Sequence, residues 1–460
     1  MHYEKFADGS VKCIEDEVPF GLPDGWAWVR LGNLSAAIQY GLSNSAEPQG
    51  THRLLRITDI QDGKVDWNAV PFTTVNDPEA YLLKTGDIVF ARTGATVGKS
   101  FLITETPYPS VYASYLIRIR LLGSLSPEYI YQFFDSACYW SQITDKSVGV
   151  GQPNCNGTSL KELFIPLPPI SEQLRIVPTA QALLAYVAKI DAEKKSLLSI
   201  IMATKSKILD LAIRGQLIPQ DPNDEPASVL LERIRAEKEE LIKQGKLKRD
   251  KKESVIFRGE DNSYYLNNGQ TTVDINDDLP FDIPDSWRWV RLKDVFIINP
   301  RNKLDDDLDV SFIPMPLIDD GYSGKHATEV RHWKEVKNGF THFAEGDVGV
   351  AKITPCFENR KSTVFENLTN GYGAGTTELH VLRPFGNNIF VRYLLAYIKS
   401  DYFVEKGKQT FTGDVGQQRI SKAYVENAYF PLPPVKEQER IVQQIGIIFE
   451  FLNMITDASS

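Results

Sequence analysis

The sequence predicts an α+β chain: two homologous mixed α/β domains separated by a long paired-helix, coiled-coil spacer. Three observations carry that expectation. The first is a proline-rich stretch, Pro166-Leu167-Pro168-Pro169-Ile170-Ser171-Glu172-Gln173-Leu174-Arg175-Ile176-Val177. It returns 265 residues later as Pro431-Leu432-Pro433-Pro434-Val435-Lys436-Glu437-Gln438-Glu439-Arg440-Ile441-Val442. The second is a lead-in, Leu22-Pro23-Asp24-Gly25-Trp26-Ala27-Trp28-Val29-Arg30-Leu31, which returns as Ile283-Pro284-Asp285-Ser286-Trp287-Arg288-Trp289-Val290-Arg291-Leu292. The third is a narrow apolar ladder at helical spacing after each proline stretch. Repeats in the same order at nearly constant offset mean an internal duplication.

The first domain is expected over residues 1–170. Residues 87–91 and 113–122 are dense in β-branched and aromatic side chains and are predicted strands. Residues 128–143 carry apolar positions at helical spacing, as do 389–404 in the second domain. Gly86-Asp87-Ile88-Val89-Phe90-Ala91-Arg92 is matched by Gly346-Asp347-Val348-Gly349-Val350-Ala351-Lys352, and Val150-Gly151-Gln152 by Val415-Gly416-Gln417.

Proline fixes φ and lacks a donor, so each Pro-Leu-Pro-Pro stretch is extended chain. The Ser or Lys that follows opens a helix, and the next Glu favours the positive end of its dipole. A spacer helix is therefore expected over 171–214. Its seam runs through Val187, Ile190, Leu197, Ile201, Ile208 and Leu211, with Lys194 and Thr204 as polar breaks. Residues 215–254 form a Pro-, Asp- and Asn-rich linker and a second helix with a basic end, Lys246, Lys248, Arg249, Lys251 and Lys252. That run is first a solvated helix end and second a nucleic-acid contact. The second domain spans 255–434. A final spacer helix occupies 435–460, with Ile441, Ile445, Ile448 and Leu452 as its seam. A narrow seam needs a partner, and the two helices are expected to pair antiparallel and hold the domains apart.

The 460 residues carry a net charge of −9 and are 42% hydrophobic, a soluble globular composition that argues against coating nucleic acid by charge alone. The four cysteines, Cys13, Cys138, Cys155 and Cys356, form no close pair, so neither a zinc site nor a disulfide framework is expected. No apolar run is long enough to span a membrane and no export signal opens the chain, which makes a cytoplasmic location the expectation.

Catalytic signals are thin. There is no P-loop, HExxH, GxSxG, strand-bounded GxGxxG or methyltransferase Asn/Asp-Pro-Pro-aromatic motif. Gly371-Tyr372-Gly373-Ala374-Gly375 reads as a flexible loop, and the acidic run 305–309 lacks the glycine and terminal glutamate of a calcium loop. Polar loops stand out instead. Arg92-Thr93-Gly94-Ala95-Thr96-Val97-Gly98-Lys99-Ser100 holds the place that Lys352-Ile353-Thr354-Pro355-Cys356-Phe357-Glu358-Asn359-Arg360-Lys361 holds in the second copy. Residues 149–154 and 413–419 add a second loop to each copy. Arg, Lys, Asn, Gln and Thr on glycine-relaxed loops suit base edges and phosphates. The frame repeats while the loops diverge, as expected of modules reading different half-sites.

Over nearly its whole length the chain resembles the specificity subunits of type I restriction–modification enzymes. The carriers are the two proline-to-helix stretches, the two Trp-rich lead-ins, the 86–100 and 346–361 segments, and the connector Leu211-Ala212-Ile213-Arg214-Gly215-Gln216-Leu217-Ile218-Pro219-Gln220 with its continuation to Ile234. The resemblance implies two target-recognition domains, each reading one half of a split, asymmetric site on double-stranded DNA. It implies a helical ruler that sets the gap and docks two methyltransferase subunits. Restriction (translocase/endonuclease) subunits are further expected partners. The chain itself is expected to be non-catalytic and to bind no cofactor or metal; S-adenosylmethionine, ATP and Mg belong on partner subunits. Carried onto this sequence, the DNA-facing residues are Arg92, Thr93, Lys99, Ser100 and Tyr112 in the first domain. Lys352, Thr354, Asn359 and Lys361 are those of the second, with Gln152 and Gln417 on the outer loops. A two-headed protein-interaction adaptor on a coiled-coil spacer is the alternative, as is a methylation-only or anti-restriction complex.

Overall fold

The structure is a computed structural model. It describes residues 2–459 except 7, 62, 147–153, 246, 250–253, 387–388 and 415. The chain divides into two units, Met1–Asp191 and Ala192–Ser460, with the division inside the long helix Ile170–Ile213.

The duplication read in the sequence is visible strand by strand. Unit 1 has an antiparallel sheet in the order Ser100–Leu102, Ile88–Ala91, Leu116–Leu121, Ser35–Tyr40. Unit 2 repeats it as Ser362–Val364, Val348–Ala351, Leu379–Pro384, Phe296–Ile298. A second sheet in each unit contains one parallel pair, Ser110–Tyr112 on His52–Leu55 and Tyr372–Gly375 on Asp309–Ile313. The Trp-rich lead-in and the Pro-Leu stretch pair with one another, Ala27–Arg30 with Phe164–Leu167 and Arg288–Arg291 with Tyr429–Leu432. Proline is tolerated there because a two-stranded ribbon leaves one edge of each strand unpaired.

Buried polar contacts explain why these particular residues repeat. Asp87, 2% exposed, takes a fork from Arg120 at 2.7 and 2.6 Å; Asp347, 2% exposed, takes one from Arg383 at 2.8 and 2.7 Å. Each carboxylate also accepts a backbone N–H that closes the turn before its strand, from Lys84 at 2.8 Å and Ala344 at 2.7 Å. A buried charge needs such full pairing. The Glu-Gln of the hinge is equally structural. Trp26 Nε1 donates to Glu172 at 3.2 Å and Trp287 Nε1 to Glu437 at 3.0 Å. Gln173 accepts from Ser126 N at 3.1 Å and donates to Pro168 O at 2.9 Å; Gln438 accepts from Phe390 N and donates to Pro433 O, both at 2.9 Å. One amide thus ties a proline stretch to the start of a helix in the domain above it.

The helices expected over 128–143 and 389–404 are each two short helices, Pro127–Phe133 with Ala137–Lys146 and Val391–Ile398 with Asp401–Lys408. The break has one cause in both. Ser136 accepts from Tyr139 N at 3.2 Å and Ser400 from Phe403 N at 3.3 Å, so a serine caps a new helix where an apolar ladder alone implies continuation.

Within unit 2 the end of the long helix packs against the C-terminal helix Val435–Ala458. Lys205 donates to Asn453 at 2.6 Å and lies over the Phe449 ring, while Gln220, further along the chain, reaches back to Glu437 at 2.6 Å. Advance along one segment is retreat along the other, so the pair is antiparallel. Ile201, Ile441 and Ile445 are buried; Leu197, Ile208, Ile448 and Leu452 are half-buried. Near the helix end the buried row is Leu209, Ala212 and Ile213 rather than the expected Leu211, which is half-buried. There the second domain's core, not a helix seam, covers the helix. Val187 and Ile190 are 55% and 62% exposed, so this part of the expected seam has no cover among the described residues. No helix of the described residues is long and apolar enough to cross a membrane.

Candidate nucleic-acid interface

In each unit the central strand of the four-stranded sheet ends in a basic residue held by the same two backbone bonds. Arg92 N donates to Tyr115 O at 3.1 Å, and Arg92 O accepts from Cys155 N at 3.0 Å. Lys352 N donates to Glu378 O at 2.9 Å, and Lys352 O accepts from Ile420 N at 2.9 Å. The next residue on is zipped to the outer loop in both copies, through Thr93 with Asn154 and Ile353 with Arg419. The sheet therefore delivers a cation to the same rim of each domain with little backbone freedom.

The side chains around the two cations differ. In unit 1 the Arg92 guanidinium lies 4.9 Å from the Tyr40 ring, and its Nε is buried without a hydrogen-bond partner. Tyr40 is pinned by accepting Gly157 N at 2.8 Å. Tyr115 beside it is 64% exposed, an aromatic face open to a ligand. In unit 2 Lys352 lines a cleft of about 270 Å³ with Asn299, Arg301, His342 and Thr377. At its edge Arg419 makes a fork to Glu378 at 2.9 and 3.0 Å, which holds the Glu378 carboxyl below its usual range. His380, 5% exposed, accepts the place of Ile117 in the first copy; burial pushes its imidazole down to about 4, so it is neutral at pH 7.

The sequence-selected residues divide accordingly. Lys99, Asn359 and Gln417 are exposed; Arg92, Thr93, Ser100 and Lys352 are half-buried at the rim or on its loop. Three others are structural. Tyr112 is fully buried, its hydroxyl donates to Gln39 O at 3.3 Å, and burial pushes it up to about 12. Its strand is covered on both faces, so the aromatic next to a polar loop belongs to the core. Lys361 spends its ammonium on Ile318 O at 2.8 Å and Met315 O at 3.4 Å. Thr354, 9% exposed, uses its hydroxyl to accept Gln418 N at 3.1 Å. Gln152 lies outside the described residues, as do Lys246, Lys251 and Lys252 of the basic run; Arg249 makes a fork to Glu239 at 2.9 and 2.5 Å.

Tyr40, Tyr115, Arg301 and Arg419 were not singled out from sequence. For Arg419 a signal existed, since it stands opposite Asn154 at the constant 265-residue offset. Tyr40 and Arg301 come from segments without a repeated motif, and only the sheet brings them to the rim. Among the described residues no group of histidines, cysteines or carboxylates could hold a metal ion.

The two units thus present unlike polar rims on one duplicated frame. The chain belongs to the family of type I restriction modification DNA specificity domains, whose model matches residues 23–200 and again 284–456. It is 48% identical over 243 residues to the specificity subunit of the type I restriction enzyme EcoAI of Escherichia coli. That match covers 53% of this chain and 38% of the relative. It is 45% identical, over the same shares, to the EcoEI specificity subunit of Escherichia coli. The matched segment is thus well under two thirds of the length of these curated relatives. A solved chain from a study of assembly and conformational transition in a type I R-M system superposes with a TM-score of 0.56 at 19% identity. It covers 96% of this chain and 94% of that one, which shows a shared fold.

Proposed function

We propose that the chain is the DNA-reading subunit of a type I restriction–modification complex and that each unit reads one half of a bipartite, asymmetric site. One observation carries the reading: the same backbone brackets hold Arg92 in unit 1 and Lys352 in unit 2, amid different neighbours. Arg92, stiffened by Tyr40, keeps donors free for a bidentate bond to a guanine or a grip on phosphate. Tyr115 supplies an apolar surface for a sugar or base. In the cleft of unit 2, Lys352 and Arg301 supply positive charge, and Asn299 and Thr377 supply neutral donors and acceptors.

The net charge of −9 limits what this chain holds by itself, and two methyltransferase subunits would share the grip on DNA. In this reading the helices set the gap between half-sites. The methyltransferases bind S-adenosylmethionine and methylate adenine, and restriction subunits bring ATP and Mg. The test is co-expression with a type I methyltransferase subunit and mapping of methylated adenines on a plasmid. A split motif with two unlike halves is the expected result. A stable complex that leaves DNA unmodified and does not shift it in a gel would reject the reading.

A further inference from the structure

One corner of the unit 2 rim carries a carboxylate where unit 1 carries no charge. Glu378 O accepts Lys352 N at 2.9 Å, the place that Tyr115 fills beside Arg92. Arg419 bridges Ile353, the place that Asn154 fills beside Thr93. A phenol and an amide thus stand at this corner in unit 1, and a carboxylate and a guanidinium in unit 2. The backbone bridge closes the corner in both, so the frame does not require the ion pair. Arg419 and Glu378 are 39% and 26% exposed, where such a pair adds little to stability.

The pair is fixed in place with capacity to spare. Glu378 N donates to Thr376 Oγ1 at 3.1 Å, so its backbone is held on both sides. Arg419 Nε and Nη2 donate to separate oxygens of Glu378 at 2.9 and 3.0 Å, and Nη1 donates to Gln417 O at 2.7 Å. Each carboxylate oxygen keeps a further lone pair, and each terminal nitrogen of Arg419 keeps an N–H that no described residue takes. The fork keeps Glu378 charged at pH 7. A phosphate repels such a carboxylate, so on a DNA-facing rim its favourable targets are base edges. In the major groove only cytosine N4 and adenine N6 offer an amine. Beside the adenine amine lies N7, an acceptor that repels the carboxylate; beside the cytosine amine lies a C–H. Across the same pair, guanine offers O6 and N7 to the free donors of Arg419.

Resting on the reading of unit 2 as one half-site reader, we propose that Glu378 and Arg419 together read one C·G pair in that half. Glu378 takes the cytosine amine, and Arg419 donates to the guanine. Unit 1, with Tyr115 and Asn154 at this corner, has no charged pair to read the matching position in the same way.

Methylated adenines are mapped for the unaltered chain, Lys352→Ala and Glu378→Gln, each co-expressed with a type I methyltransferase subunit. Lys352→Ala marks the half that unit 2 reads, and that half should contain a C·G pair. Glu378→Gln is isosteric, and its amide can pair with adenine N6 and N7. At that one position the preference for cytosine over adenine should fall by about tenfold or more, with the other half and the gap unchanged. A duplex with 2-pyrimidinone in place of that cytosine lacks only the amine. The unaltered complex should bind it about tenfold more weakly than the cytosine duplex, whereas Glu378→Ala should bind the two alike. A unit 2 half without a C·G pair, an unchanged preference in Glu378→Gln, or equal binding of the two duplexes by the unaltered complex would each overturn the assignment while leaving the half-site reading standing. Relaxation of neither half by Lys352→Ala would overturn the half-site reading itself, and the assignment with it.

Discussion

Units 1 and 2 share their buried polar braces nearly atom for atom, whereas at the rim they keep the backbone brackets around one cation and differ in the side chains beside it. The Asp–Arg fork, the hinge glutamine, the hinge Glu–Trp bond and the tyrosine hydroxyl on the hinge proline all recur. The last is Tyr129 to Pro166 O at 2.5 Å and Tyr393 to Pro431 O at 3.0 Å. At the rim, the positions of Tyr115 and Asn154 in unit 1 are held by Glu378 and Arg419 in unit 2, and that of the exposed Lys99 by Lys361, which is consumed by two carbonyls. The lesson is energetic. A buried polar group left without its partner costs about 1–3 kcal/mol, and a buried charge more, so both partners must persist together. A rim side chain pairs with water when free and can change at small cost to the fold.

Breaking the braces should therefore hurt both units alike. Asp87→Ala and Asp347→Ala each strand an arginine that is about a quarter exposed, and each should lose about 3–5 kcal/mol in urea unfolding. A loss in one unit only would mean the braces are not equivalent. A pH scan should separate the units instead. His380 titrates near 4 when folded against about 6.5 when unfolded, so the unfolded chain binds the extra proton between these values. Its contribution is complete above pH 6.5 and is lost as pH falls toward 4, by about 3 kcal/mol. His380→Gln should flatten that part of unit 2's pH dependence, while unit 1, with Ile117 at this place, should show no matching change. The smallest effect is the hinge amide. Gln173→Ala and Gln438→Ala should each cost about 1–3 kcal/mol by leaving one N–H and one carbonyl unpaired. Near-equal values in differential scanning calorimetry would sharpen the equivalence.

Much of this plan was legible in the chain. The repeated Glu-Gln, Trp and Gly-Asp positions marked the frame before their contacts were known, because residues that brace a duplicated fold are duplicated with it. The long helix expected over 171–214 is Ile170–Ile213, and the linker helix is Ala227–Lys243. Less legible were features set by cover rather than by local pattern. Leu211 and Leu209 are equal candidates on an apolar ladder, and only the neighbouring core decides between them. Tyr112 and Lys361 stand in polar stretches yet face inward, because a strand covered on both sides and a pair of free carbonyls claim them. The rim was half legible: the cations at 92 and 352 follow a repeated strand, whereas Tyr40 and Arg301 reach it through sheet pairing.

In the proposed function the two rims read separate halves of one site. It is tested most directly by mapping methylated adenines in cells that carry the methyltransferase with either Arg92→Ala or Lys352→Ala. Each variant should relax the sequence requirement in one half of the motif, a different half for each, and leave the gap unchanged. For Arg92 the loss should be about 1–3 kcal/mol of discrimination if it holds a guanine. Relaxation of the same half by both variants, or of neither half, would rule out separate reading by the two rims.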